Sequence, residues 1–174
     1  MRATKRLTLS AMAVALGAVL LAAGAVWEVV DLTAAAVASL IMAFVYIELG
    51  SPYTYFVWLG TSLASFIIFP SSIVWAEYLA VFGVYPLLKA LIERAPRILW
   101  WVCKLVYINA VIAALMLLVE QLFGVPFFDG GSLLVNAALW VLIVVAFVAY
   151  DMFLTVMVRL YMAKYRKRIR KYLK

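Results

Sequence analysis

The sequence contains no histidine and a single cysteine, Cys103. One cysteine cannot form a disulfide within the chain, and the lack of histidine excludes a histidine-dependent catalytic triad, a haem site and a typical zinc site. No glycine precedes a lysine, so there is no GxxxxGK[ST] phosphate-binding loop, and no GxSxG nucleophile elbow is present. We therefore expect no metal, no cofactor, no ATP hydrolysis through a phosphate-binding loop and no enzyme activity.

Charged residues are also scarce, at 13% of the 174 residues, whereas 70% are hydrophobic. A soluble domain has roughly a quarter charged residues and about half apolar ones. A soluble core could not bury this apolar excess, so the composition indicates an integral membrane protein of the all-α class. The net charge is +7, but the basic residues that produce it lie at the ends of the apolar segments, at the predicted membrane borders. We therefore expect no nucleic-acid partner.

Long apolar segments follow one another along the chain, and we predict that residues 1–174 form a single transmembrane domain. A helix needs about 20 apolar residues to cross the hydrocarbon core. Gly50-Ser51-Pro52 and Ala95-Pro96 mark two of the turns between such segments, and Pro86 predicts a kink inside one of them. We predict a bundle of six transmembrane helices over 7–27, 33–49, 53–69, 73–91, 98–122 and 132–161.

The basic residues all fall at alternate borders of these six segments, and the opposite borders carry acidic residues such as Glu28 and Glu120. Basic residues are enriched on the cytoplasmic side of membrane proteins. We therefore predict a multi-pass protein of the plasma membrane with both termini in the cytoplasm. The stretch 162–174 is predicted to extend the last helix as a basic cytoplasmic tail. Its predicted contacts with membrane lipids are Arg166, Lys167, Arg168, Arg170 and Lys171.

Few polar side chains fall deep inside the predicted segments, which argues against a proton relay or a self-powered transporter. Asn109 is the clearest polar residue near the midplane. Toward the inner border, Glu48, Lys104, Asp151 and Arg159 either form an ion-pair network or remain at the interface, unpaired or locally paired. The sequence leaves both alternatives open.

Aromatic, acidic and amide side chains collect at the predicted outer end of the bundle. Small-molecule pockets are mostly apolar with a few placed polar groups. A small-molecule site there would use Glu28, Trp75, Glu77, Asn136 and Trp140. The alternative is an aromatic belt accompanied by solvated acidic loops.

The first segment contains the stretch LTLSAMAVALGA after a basic opening. A secretory signal peptide shares that pattern, but an apolar run of about 20 residues exceeds the usual 7–15, and we expect a retained span. A seam of small residues occupies one narrow face of this helix: Ala11, Ala15, Ala18, Ala22 and Ala25. Such a seam lets a second helix approach closely, either from the same bundle or from another protein.

The segment KRLTLSAMAVALGAVL, with Ala11 and Ala15 as an AxxxA motif, resembles the first helix of the S components of energy-coupling factor transporters. These are bacterial membrane subunits that capture vitamins and metals. The resemblance implies docking of Ala11 and Ala15 on a transmembrane coupling subunit, with cytoplasmic ATPases as the energy source. We accordingly expect a passive capture subunit that binds a small, vitamin-like nutrient at the outer side.

A function without transport is the alternative that the sequence leaves open. Membrane scaffold or cell-envelope assembly proteins, such as the rod-shape-determining membrane proteins, also have five or six spans in a chain of similar length. In that case the alanine seam and the basic tail would bind protein partners, and there would be no ligand.

Overall fold

A computed structural model describes residues 3–124, 133–166 and 168. The described residues form helices and no strand, which confirms the all-α class. The α-helices are α1 (Ala3–Val26), α2 (Asp31–Leu49), α3 (Ser51–Ile68), α4 (Val74–Glu77), α5 (Tyr85–Ile92), α6 (Arg97–Phe123) and α7 (Leu133–Leu160). A 3₁₀ turn at Glu28–Val30 precedes α2, and π-helical turns at Tyr78–Phe82 and Tyr161–Tyr165 follow α4 and α7. Each predicted segment is therefore helical over most of its length.

Several of the described helices can cross a membrane, which supports a multi-spanning membrane protein. Five are long and apolar enough: Ala3–Val26, Asp31–Leu49, Val74–Ile92, Ile98–Leu122 and Leu134–Tyr165. The third predicted span corresponds to α3, which is 18 residues long and buries the hydroxyl side chains of Thr54, Thr61, Ser62 and Ser65. These hydroxyl groups give α3 a polar content within an otherwise apolar helix. The count of six spans and the cytoplasmic termini stay predictions.

The chain forms two compact units. The first comprises Met1–Leu88 and Phe153–Lys174, and the second comprises Lys89–Met152. Within the first unit, α1 packs against both α2 and α3. Within the second unit, the Tyr107 ring on α6 lies 6.3 Å from the Phe147 ring on α7.

Glycines on α1 allow its close approach to the neighbouring helices of the first unit. A Cβ atom on Gly17 would lie 2.9 Å from Thr61 Cγ2 of α3, and one on Gly24 would lie 3.0 Å from Ala34 Cβ of α2. These distances are shorter than ordinary van der Waals contact. The α1 face that packs inside the unit is thus formed by Ser10, Ala13, Gly17, Leu21 and Gly24.

Gly17→Ala is expected to lower the free energy of unfolding by about 1–2 kcal/mol, because the new methyl group overpacks against Thr61. Thr61→Ala removes both atoms that the methyl would meet first, Cγ2 and Oγ1. In a chain that already carries Thr61→Ala, the further change Gly17→Ala should therefore cost little stability. The measurement is reversible unfolding in detergent micelles by circular dichroism. Strictly additive effects of the two changes would contradict the close approach of Gly17 to Thr61.

The predicted kink at Pro86 corresponds to an interruption that begins earlier in the chain. The helix leaves α geometry at Tyr78, runs through the π-helical turn and resumes with α5 at Tyr85. Pro86 is the second residue of α5, where the missing N–H group costs no helical hydrogen bond. Trp58 Nε1 donates a hydrogen bond to the Leu79 carbonyl oxygen inside the turn, at 3.0 Å. The irregular turn is thus held by a side chain from α3.

Candidate functional site

The five alanines of the seam on α1 differ in how far they are exposed. Ala18, Ala22 and Ala25 are half-buried, whereas Ala11 and Ala15 are exposed. The side chains that pack within the first unit lie on a different face of α1. Within the first unit, the helices that the structure describes therefore leave the AxxxA motif uncovered.

The residues predicted to bind a small molecule fall in different units. Trp75 and Glu77 belong to the first unit, and Asn136 and Trp140 belong to the second. The side chain of Glu28 lies outside the described part of the chain.

In the first unit, the Trp75 ring packs edge-on against Phe66, with 4.9 Å between the ring centroids. Its Nε1 donates to the Pro70 carbonyl oxygen at 3.4 Å. Glu77 is half-buried, and its buried Oε2 accepts no hydrogen bond from the residues that the structure describes. This carboxylate oxygen is therefore available to a ligand.

In the second unit, Trp140 Nε1 donates to Asn109 Oδ1 at 2.8 Å, and Asn109 Nδ2 donates to the Leu105 carbonyl oxygen at 2.8 Å. The sequence singled out Asn109 as a polar residue near the midplane but did not pair it with Trp140. The hydrogen bond joins α6 to α7. It gives Trp140 a role in packing that the predicted ligand site did not include.

Four charged side chains of the second unit lie in contact, and they are called the charge cluster below: Lys89, Glu93, Lys104 and Asp151. Lys89 lies in the last turn of α5 and Glu93 directly after it, while Lys104 lies on α6 and Asp151 on α7. Lys89, Lys104 and Asp151 are each 6% exposed. Charges this well buried require opposite charges around them.

Each lysine of the charge cluster contacts both carboxylates. Lys104 Nζ lies 2.8 Å from Asp151 Oδ2 and 3.2 Å from Glu93 Oε1. Lys89 Nζ contacts Asp151 Oδ1 and lies 3.1 Å from Glu93 Oε1. It also donates to the Asp151 carbonyl oxygen at 3.2 Å. The two positive and two negative charges of these four side chains balance. Their contacts join α5, α6 and α7.

The ion-pair alternative that the sequence left open is confirmed for Lys104 and Asp151, but not for Glu48. Glu48 lies in the first unit, where its Oε1 is 3.3 Å from Arg166 Nε and accepts a hydrogen bond from the Tyr161 hydroxyl at 3.2 Å. Arg159 is exposed. Lys89 was not singled out from the sequence, although a lysine within the apolar run YPLLKALI was a signal.

The basic tail is described only in part. Arg166 pairs with Glu48, with its side chain 30% exposed, and Arg168 is exposed, so their contact with lipid stays a prediction. Lys167, Arg170 and Lys171, which were also predicted to contact lipid, lie outside the described residues. The Tyr161 ring also packs edge-on against Phe44 of α2 at 5.5 Å, so the π-helical turn after α7 contacts α2 through both Phe44 and Glu48.

No group of three or more cysteine, aspartate or glutamate side chains within the described ranges is placed to hold a metal ion. Comparison with protein-family models, characterised proteins and solved structures gives no match. The chemistry of the exposed alanines, the Glu77 carboxylate and the charge cluster is therefore the basis for assigning a function.

Proposed function

We propose that this chain is the passive, nutrient-capturing subunit of a transporter in the plasma membrane, with both termini in the cytoplasm. It docks through Ala11 and Ala15 on a transmembrane coupling subunit whose ATPases supply the energy. The exposed AxxxA face carries this proposal. In lipid, helices associate through close packing more than through apolar burial, and small side chains allow the closest packing.

The rest of the exposed surface of α1 supports the choice of this face. Met12, Leu16 and Val19 are 64%, 56% and 65% exposed and present large apolar side chains, which suit lipid. Ala11 and Ala15 present methyl groups, so a partner helix can come nearer to the α1 backbone on that side. The two exposed faces of α1 thus differ in how closely a helix can approach.

The Glu77 carboxylate supports capture of a small molecule with a hydrogen-bond donor or a positive charge. A buried polar atom is normally hydrogen-bonded, and Oε2 of Glu77 has no such bond among the described residues. A donor group on a bound solute would satisfy it.

The scaffold function is the second candidate, and the tryptophan hydrogen bonds favour it. Trp75 and Trp140 both donate their indole N–H groups to acceptors within the chain, Pro70 and Asn109. Two of the side chains predicted to bind a ligand therefore already have polar partners. A scaffold would use the same alanine face for a cell-envelope assembly protein and would bind no nutrient.

The test replaces Ala11 and Ala15 with tryptophan and compares pull-down of tagged protein from native membranes. Two bulky side chains on the docking face should reduce recovery of the coupling subunit and its ATPases at least about tenfold, equivalent to roughly 1.4 kcal/mol. Met12→Trp with Leu16→Trp is the matched control, since it has the same spacing and similar exposure but lies on another face. The control should retain the partners.

Mass spectrometry of the recovered proteins separates the two candidates. Paired ATPases together with a membrane coupling subunit support nutrient capture. Recovery of cell-envelope assembly proteins alone would replace capture by the scaffold function. Equal recovery of partners by the alanine variant and its control would remove the docking role of the AxxxA face.

A further inference from the structure

We propose that the charge cluster is an anion-binding site that takes a phosphate group. In this proposal the phosphate replaces Glu93 between Lys89 and Lys104, while Asp151 stays bound to both lysines. Glu93 then acts as an internal substitute that occupies the site when no anion is present. The proposal does not depend on nutrient capture or on docking through α1.

The two lysines are arranged to hold a single negative oxygen. Their Nζ atoms lie 3.1 and 3.2 Å from the same atom, Glu93 Oε1. Two ammonium groups within hydrogen-bond distance of one point form a preorganised receptor for an anionic oxygen. Charge-assisted hydrogen bonds of this kind are about twice as strong as neutral ones.

The two carboxylates are held unequally, and this identifies Glu93 as the one that leaves. The Asp151 side chain is 8% exposed and divides its oxygens between the two lysines. The Glu93 side chain is 32% exposed, uses one oxygen for both lysines and follows the end of α5. An anion arriving from outside the protein therefore meets Glu93 first and can displace it without disturbing Asp151.

Charge balance explains why an anion is required whenever Glu93 moves away. Without Glu93, the two buried lysines would lose one of the two carboxylates that they share, and removing a counter-charge from a buried ion-pair network is destabilising. A phosphate group supplies negative charge in place of that carboxylate. A phosphate also offers several acceptor oxygens, so each lysine can bind its own.

The position of the cluster along the helices matches the depth at which lipid phosphates lie. Glu93 falls in the short connection between two candidate membrane stretches, Val74–Ile92 and Ile98–Leu122. Lys89 and Lys104 lie ~5 and ~9 Å along their helices from this connection. Lysine side chains reach such a border readily, and basic pockets between membrane helices bind anionic headgroups. Ile98 and Trp101 beside the connection are 83% and 53% exposed, which suits contact with lipid chains.

The proposal is tested by calorimetric titration of the full chain in detergent micelles. The probes are dihexanoyl phosphatidic acid, inorganic phosphate and dihexanoyl phosphatidylcholine. We expect saturable binding of at least one of the first two to the wild type, and weaker or no binding of phosphatidylcholine. Glu93→Gln, which removes the competing carboxylate charge, should bind the same probe roughly fivefold more tightly or better. Glu120→Gln, the same change at an exposed position of α6, should leave the affinity unchanged.

The outcomes distinguish the source of the phosphate. Binding of phosphatidic acid alone identifies a lipid headgroup as the occupant, whereas binding of inorganic phosphate identifies the free anion as sufficient. The proposal is overturned if neither probe binds to the wild type or to Glu93→Gln, or if that variant binds no more tightly than the wild type. Should Glu93→Gln fail to give monodisperse protein, Lys104→Gln is the second variant. Unchanged affinity in Lys104→Gln would equally overturn the proposal.

Discussion

Asp151→Asn is expected to lower the free energy of unfolding by about 3–5 kcal/mol. Asparagine keeps the shape of the side chain but removes the charge that lies between Lys89 and Lys104. The two lysines are each 6% exposed, so water cannot take over the role of the carboxylate. Breaking a buried ion pair from one side is costly because the remaining charge stays uncompensated. Unfolding in detergent micelles, followed by circular dichroism during titration with a denaturing detergent, measures the loss.

The control for this prediction removes charge from both sides of the pair. Lys104→Met combined with Asp151→Asn leaves Lys89 and Glu93, whose charges balance and whose contact is 3.1 Å. We expect the double variant to be more stable than Asp151→Asn alone by at least about 1.5 kcal/mol, a coupling typical of residues in one network. Equal stability of the single and double variants would mean that charge balance does not hold the cluster together.

Gly83→Ala is expected to lower the free energy of unfolding by about 2–3 kcal/mol. A Cβ atom on Gly83 would lie 2.8 Å from the Tyr78 carbonyl oxygen and 2.6 Å from Trp58 Cδ1. The Tyr78 oxygen belongs to the backbone of the π-helical turn and accepts the Gly83 N–H at 2.6 Å, so it cannot move away independently. The substitution must therefore disturb both the turn and the Trp58 side chain. The same unfolding titration provides the measurement.

Gly60→Ala is the matched control for Gly83→Ala. Its new methyl group would lie 3.1 Å from Val14 Cγ2, the end of a side chain rather than backbone. A shift of a few tenths of an ångström by Val14 relieves this contact, and we expect a loss below about 1 kcal/mol. If both alanine variants lose the same stability, backbone crowding at the π-helical turn is not the cause.

Most of the helical framework could be predicted from the sequence, because long apolar runs separated by glycine and proline leave little choice of structure. Gly50 illustrates this, since its φ of 88° separates α2 from α3 where the predicted turn lies. The π-helical turn at Tyr78–Phe82 was not predicted. Its hydrogen bond with Trp58 joins residues 21 positions apart, and such a contact leaves no local pattern in the sequence.

The two candidate sites differ in how far the sequence could predict them, because one depends on local spacing and the other on long-range contacts. The exposed AxxxA motif could be located because helical periodicity places Ala11 and Ala15 on one face. Lys104 and Asp151 attracted attention as charges within apolar segments. Their closure into a cluster with Lys89 depends on contacts that span 47 and 62 residues, which only the folded chain brings together.

Photocrosslinking from individual positions of α1 measures directly whether the AxxxA face meets another protein. A photoreactive amino acid is placed at residue 11 or 15, and in separate chains at residue 12 or 16, with the full chain expressed in its native membrane. The docking proposal predicts crosslinks to a membrane coupling subunit from 11 and 15, and crosslinks mainly to lipid from 12 and 16. Crosslinks only to lipid from all four positions would contradict it.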